Sequence, residues 1–304
     1  MAFVVLQRRH IEDELMGIAR KELSRARESL VKDGAAPSAT AVHESRKRVK
    51  KVRTVLDVLE ATGTKVRSKD RRRLQAAAHA LSALRDRDAV IATFDTLRKQ
   101  FPKRLPEHSY GLIRRVLIRA KSRAAERARH AHVAARVASR LKRMSRSIKR
   151  SPLRSIDAAH LAYAIGRAYR DSRRGLKRAV SARQSNETHR WRKRVKQLWY
   201  QLRLAQRLAP GIAVLVRDLK RLETWLGEEH NLLILRTTLL GARDLQTMRG
   251  EVAQLTAMTA GRQQQLRRKA FALGRRLHAR KPKAFVRALL RRSKRAARSP
   301  AKAA

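Results

Sequence analysis

Apolar residues recur along this chain at three- and four-residue spacing over long stretches, the mark of helices buried on one face. No segment alternates β-branched and polar residues as a half-buried strand would. Gly and Pro number only 12 and 7, and they gather at breaks: Gly34 to Pro37, Gly63, Pro102 to Pro106, Pro152, Pro210-Gly211, Gly250 and Pro282. Between the breaks the chain is rich in Ala, Leu, Arg and Lys, all strong helix formers. The pattern predicts helices over 3–32, 39–62, 65–100, 107–150, 154–181, 185–209, 212–245 and 250–280, with a short one near 283–292. The expected fold class is therefore all-α, and spans this long point to elongated bundles.

The chain also repeats itself. His43-Glu-Ser-Arg-Lys-Arg-Val-Lys50 returns as His189-Arg-Trp-Arg-Lys-Arg-Val-Lys196, identical at six of eight positions and displaced by 146 residues. Leu81-Ser-Ala-Leu-Arg-Asp86 has a fainter echo in Leu226-Gly-Glu-Glu-His-Asn231, displaced by 145. Two echoes at nearly one displacement imply two halves of about four helices each, with a boundary near Pro152. The expected division is 1–152, 153–292 and a basic flexible tail over 293–304.

Wound at about 100° per residue, residues 42–59 place Val42, Val49, Val52, Leu56 and Leu59 on one face, which packs into a bundle. Arg53, Arg46, Lys50, His43 and Lys47 fan along the flank of that stripe, while Arg48 and Lys51 point elsewhere. The second copy repeats the geometry. Val195, Leu198, Leu202 and Ala205 form the apolar face, Arg192, Lys196, His189 and Lys193 form the flank, and Trp199 replaces Arg53.

Charge gives these flanks a partner. Lys and Arg number 76 against 24 Asp and Glu, a formal net charge of +52. Self-repulsion of that size calls for a polyanion: nucleic acid, polyphosphate or an anionic surface. Arg grips two oxygens with a planar fork, Lys offers a mobile point charge, and His adds a donor below its ordinary pKa of roughly 6.5. Neighbours at i, i+3 and i+4 can touch successive phosphates of one chain. A charge run on a helix is most often a solvated face; duplication of the whole pattern favours binding. Arg119, Arg123, Arg127 and His130 on the fourth predicted helix, and Arg262 on its counterpart, can line the same groove or face water.

Catalysis is not expected. There is no Cys, no Walker-type phosphate loop and no Gly-x-Ser-x-Gly element, and Glu228-Glu229-His230 lacks the second His of a metalloprotease helix. Arg85-Asp86-Arg87-Asp88 reads as a salt-bridged segment, because its counterpart has lost both carboxylates. No catalytic residue, metal site or cofactor is expected. No apolar run reaches membrane-spanning length, and the short apolar start before Arg8-Arg9 does not form a secretory leader, so a cytoplasmic protein is expected.

Val42-His43-x-x-Arg46-x-x-x-Lys50-Lys51-x-Arg53, its repeat His189-x-x-Arg192-x-x-x-Lys196, and the two Leu-led echoes resemble the CHAD domain family, the conserved histidine α-helical domain. The resemblance spans nearly the whole chain, residues 1–290. It implies two pseudo-symmetric four-helix bundles of long helices and a basic groove or pore that binds inorganic polyphosphate, with association to polyphosphate granules. Carried over residue by residue, it points to His43, Arg46, Lys50, Arg53, His189, Arg192 and Lys196; helix geometry adds Lys47 and Lys193. Trp199 departs from the family pattern, so the two halves are not expected to contribute equally. Many relatives carry an N-terminal triphosphate-tunnel domain built of strands; without such strands this chain is expected to be a stand-alone module. Nucleic-acid backbone binding is the alternative, weakened by an aromatic content of only 4% and by the absence of DNA-reading motifs.

Overall fold

The computed structural model describes residues 3–7, 10–32, 37–149, 153–182 and 185–298, the side chains of 83–85 and 149 excepted. Among these residues all regular structure is helical. The first half holds α1 (Ile11–Val31), α2 (Ala39–Ala61), α3 (Ser68–Gln100), α4 (Glu107–His130) and α5 (Val133–Lys149). The second holds α6 (Ala158–Ala182), α7 (Ser185–Leu204), α8 (Ala213–Leu240), α9 (Arg249–Leu277) and α10 (Pro282–Arg298). No described helix is long and apolar enough to cross a membrane.

The first half holds five α-helices where four were expected, because the helix expected over 107–150 breaks at Ala131–His132; in the second half the short helix expected near 283–292 is the fifth, α10. His132 takes the left-handed conformation, φ 46°. The stretch Ala124–His132 offers only Ala, Glu, Arg and His, so no large apolar side chain anchors a continuous helix there. The first helix starts at Ile11 rather than at residue 3. Phe3 and Val5 are buried instead in non-helical chain, with the Val5 amide donating to the Leu204 carbonyl at 2.8 Å. Glu14 accepts from the amides of Leu6 and Gln7 and helps turn the chain into α1. The turns after Leu204 and Leu240 also come earlier than expected. At the other end α10 runs to Arg298 with Ser293 buried, so the first six residues of the expected tail are helical. The break at Gly34 to Ala36, the boundary at Pro152 and the remaining tail lie outside the described residues.

α2 shows how local chemistry sets its ends. Ser38 accepts from the Ala41 amide at 3.1 Å as N-cap. Gly63, φ 96°, ends the helix: its amide bonds Glu60 O and the next amide bonds Leu59 O, the paired pattern of a Schellman motif. Val42, Val49, Val52, Leu56 and Leu59 are all buried, as are Val195, Leu198 and Leu202 of α7 and Ala205 in the turn that follows it.

Neighbour order repeats between the halves. α1 packs on α2 and α5 as α6 packs on α7 and α10; α2 meets α3 as α7 meets α8; α3 meets α4 as α8 meets α9. The halves are not separate cores. One hydrophobic cluster joins residues from Phe3 to Leu289, and a second joins the far ends of α3 and α4 to α8 and α9. α2 touches α6 and α7, and α3 touches α8, across the join.

The inward position of each motif copy differs in size. Ser45 is buried and donates to the Ala26 carbonyl at 2.8 Å, which suits a close α1–α2 approach. Trp191, fully buried at the equivalent position, fills the space between α6, α7 and α9. A Cβ added to Gly274 would lie 2.7 Å from its ring, and one at Gly175 3.1 Å. We expect Gly274→Ala to destabilise by about 1–3 kcal/mol through overpacking, and Gly274→Ala/Trp191→Phe to recover part of that loss. Thermal unfolding of the three proteins checks this; a neutral Gly274→Ala would show that the ring is not tightly held.

Candidate functional site

α2 and α7 meet across the join, and two cavities open along their contact, one of 510 Å³ and one of 320 Å³. Arg46, Lys50, Arg192 and Lys196 line both. The larger adds His43 and Lys47 from α2, Trp199 from α7 and Lys220 from α8; the smaller adds His189 and Lys193 from α7 and Arg53 from α2. All nine residues expected on the two flanks thus line one connected cleft. Each cavity takes the leading cations of one copy and the trailing position of the other, which is Arg53 in one and Trp199 in the other.

Carboxylates hold these cations in place. Glu223 of α8, 4% exposed, receives Lys196 at 2.7 Å, Lys220 at 2.9 Å and Arg192 at 3.6 Å. Burial alone would raise its pKa; the surrounding cations, Lys196 foremost, hold it down to about 2. Arg46 is fixed to α3 through Nη1, which donates to Ser82 O at 3.2 Å and Asp86 Oδ1 at 3.4 Å. Arg48 and Lys51 point elsewhere as expected, both onto buried Glu22 of α1, at 3.2 and 2.6 Å. Across the join, Gln197 donates to Asp57 at 3.2 Å. Burial and neighbouring cations together lower the pKa of Lys193 and of Lys196, with Glu223 opposing the shift for Lys196.

The two motif histidines are not equivalent. His43 is exposed at the larger cavity. His189 is half-buried and stacks on His230 of α8, ring centroids 3.9 Å apart and planes 31° apart. Both Nδ1 atoms are buried without a hydrogen-bond partner. Burial first, then His230 and nearby cations, lower His189 to about 3; burial and then Arg192 and Lys193 lower His230 to about 4. The expectation that His189 gains donor strength just below pH 6.5 is therefore corrected: in the unliganded cleft it stays neutral well below that point.

The secondary residues stand apart. Arg119, Arg123, Arg127 and His130 are exposed along α4 and line neither cavity. Arg123 pairs with Asp244 at 3.5 Å, and His130 lies 4.0 Å from Glu126. Arg262 lines a neighbouring 330 Å³ pocket that shares Asn231 with the cleft, and it lies 3.8 Å from Glu228. The salt-bridge reading of the acidic segment holds for Asp86, on Arg46, and Asp88, on Lys121 at 2.7 Å; the Arg85 side chain lies outside the described residues. Among the described residues the one group that could gather three metal-ligand atoms is His10, Glu12 and Asp13, remote in sequence from the motif copies.

Sequence reasoning missed Lys220, Glu223, His230 and Tyr200. None belongs to the matching octets. Glu223 carried a usable signal: an acidic residue on the apolar side of a helix, between Leu222 and Leu226, in a strongly basic chain.

The CHAD domain family matches the sequence over residues 14–240. A solved structure, the crystal structure of the CHAD domain from the plant Ricinus communis, superposes with a TM-score of 0.60 at 17% identity, covering 88% of this chain and 90% of that one; at this identity the likeness speaks to the fold. No curated protein matches.

The buried titratable groups predict acid sensitivity. Glu223, depressed below its ordinary 4.5, contributes stability that is complete above that value and lost as pH falls toward 2. His189 and His230 take up protons near 6.5 when unfolded but resist to about 3 and 4 when folded, so stability drops as pH falls below 6.5. His278, lowered to about 4 by burial, adds to the same slope. The thermal midpoint should therefore fall from neutral pH to pH 4, and His189→Gln/His230→Gln should flatten most of that fall. An unaltered slope in the double variant would remove the pair as its source. Separately, Glu223→Gln should destabilise by on the order of 3–5 kcal/mol, because three cations lose their common partner; denaturant unfolding measures it.

Proposed function

The chain belongs to the CHAD domain family, and from that premise we propose that it binds inorganic polyphosphate along the cationic cleft between α2 and α7. The carrying observation is that all nine flank residues of the duplicated motif line two cavities joined through Arg46, Lys50, Arg192 and Lys196. A cleft lined from both sides suits a thin, flexible chain of phosphates better than a duplex. Lysines whose charged form is disfavoured by crowding gain most from an arriving anion. Aromatic stacking, which single-stranded nucleic acid uses, has little support here: Trp199 is 9% exposed, with Arg203 and Lys220 each 5.1 Å from its ring.

Binding rather than turnover is part of the proposal. Asp86 is engaged by Arg46, and Glu223 by three cations, so the carboxylates of the cleft are committed to holding side chains. Gathering on long polyphosphate would also concentrate the protein on polyphosphate granules in the cytoplasm.

The test is competition. Long-chain polyphosphate should displace RNA or DNA at equal phosphate concentration, and nucleic acid should fail to displace polyphosphate; the opposite order would establish the nucleic-acid reading. Neutralising Lys50, Arg53 and Lys193 together should lower the slope of log affinity against log salt by about two, with the thermal midpoint nearly kept. An unchanged slope would exclude the cleft as the site.

A further inference from the structure

The displacement between the motif copies makes the two cavities comparable position by position. Arg53, exposed at the smaller cavity, corresponds to Trp199 at the larger, so one copy carries an indole where the other carries a guanidinium. At the displacement of the Leu81 and Leu226 echoes, Lys220 of α8 corresponds to Gln75 of α3. The cation missing from α7 is thus matched by a cation gained on α8. In space the exchange closes: the Lys220 ammonium sits over the Trp199 ring, 5.1 Å from its centroid, and lines the same cavity.

Two features fix it there. The indole face attracts the ammonium, and Glu223 accepts from Nζ at 2.9 Å. Glu223 itself corresponds to Ala78, which lines the smaller cavity. The larger cavity therefore gained a carboxylate, and its Lys196 and Arg192 are drawn toward it. Lys220 remains about half exposed, with its side chain 52% accessible, so its ammonium is reachable from the cavity.

We propose that Lys220 is an anion-binding residue of the larger cavity, supplying from α8 the positive charge that Trp199 removed from α7. Trp199 and Glu223 act as positioning residues that aim it. The proposal rests on the polyphosphate reading for the identity of the ligand, while the role of Lys220 holds for any linear polyanion that enters the cleft.

The competing role for Lys220 is structural, as a mere counter-charge to Glu223, and the salt dependence of binding separates the two. Titrate long-chain polyphosphate into wild type, Lys220→Gln, Lys220→Arg and Trp199→Leu over a range of salt, and record the thermal midpoint of each. Losing one phosphate contact lowers the slope of log affinity against log salt by about 0.7–0.9. Lys220→Gln should show that drop with about a fivefold loss of affinity, Lys220→Arg should retain both, and Trp199→Leu should weaken binding by about threefold. A Lys220→Gln protein with wild-type affinity and slope overturns the proposal, even if its thermal midpoint moves. Should Trp199→Leu fail to fold, Trp199→Phe keeps an aromatic face and should bind close to wild type. If wild type prefers RNA, the polyphosphate reading fails, and the same series run with RNA decides Lys220. If wild type binds neither polyanion, both proposals fall.

Discussion

Glu22 and Glu223 lie buried beneath the two motif helices, and the cations above them are arranged around these charges. A helix carrying Arg46, Lys47, Arg48, Lys50, Lys51 and Arg53 within eight positions repels itself, and packing a second such helix against it compounds the repulsion. On α2 the fold sends Arg48 and Lys51 down to Glu22, which binds α2 to α1. On α7 it sends Arg192 and Lys196 to Glu223, which binds α7 to α8. A buried carboxylate with two or three cationic partners avoids the penalty of an isolated buried charge. Because the cations outnumber it, positive charge survives at the surface of each cluster. The Glu223 pairs that bind α7 to α8 also line the cleft and leave it an excess of positive charge, while the Glu22 pairs lie away from it.

The fold class was legible because helices announce themselves by period, and the apolar stripes of α2 and α7 are buried residue for residue as the spacing indicates. The flank residues were legible for the same reason: a residue's azimuth on a helix follows from its number. Breaks that rest on the absence of an anchor were harder. Ala124 to His132 is compatible with helix throughout; α4 and α5 both pack on α3, and α5 packs on α1 as well after the chain turns at His132. The start of α1 was hidden similarly, because Phe3 and Val5 read as helix yet are held by distant Leu204 and Tyr200. Contacts across the join, such as Gln197 to Asp57, have no local trace in the sequence.

The histidines show where azimuth stops being informative. His43 and His189 occupy the same place in their octets, so sequence assigns them one role. Their surroundings come from α3 and α8, where Asp86 and Asn231 correspond and His230 has an arginine, Arg85, as counterpart. His230 stacks on His189; burial first, with His230 and neighbouring cations acting on His189 and with Arg192 and Lys193 acting on His230, keeps both rings neutral near neutral pH. The motif helix repeats, the helix behind it does not, and that difference sets what each histidine can do.

That divergence explains why the cleft need not be symmetric to work as one site. Along a linear polyanion each phosphate meets whichever cation lies within reach, so the spacing of charges matters more than which helix carries them. With the charge carried on α8, a cation still lines the cavity while position 199 holds an indole that packs on Tyr200, ring centroids 4.6 Å apart. The indole adds apolar surface to the seam, though its own Nε1 is buried without a hydrogen-bond partner; a guanidinium there would have needed water or a carboxylate. Packing and charge are thus separable demands on this helix, and the second copy meets the first demand with Trp199 because a neighbouring helix can meet the second.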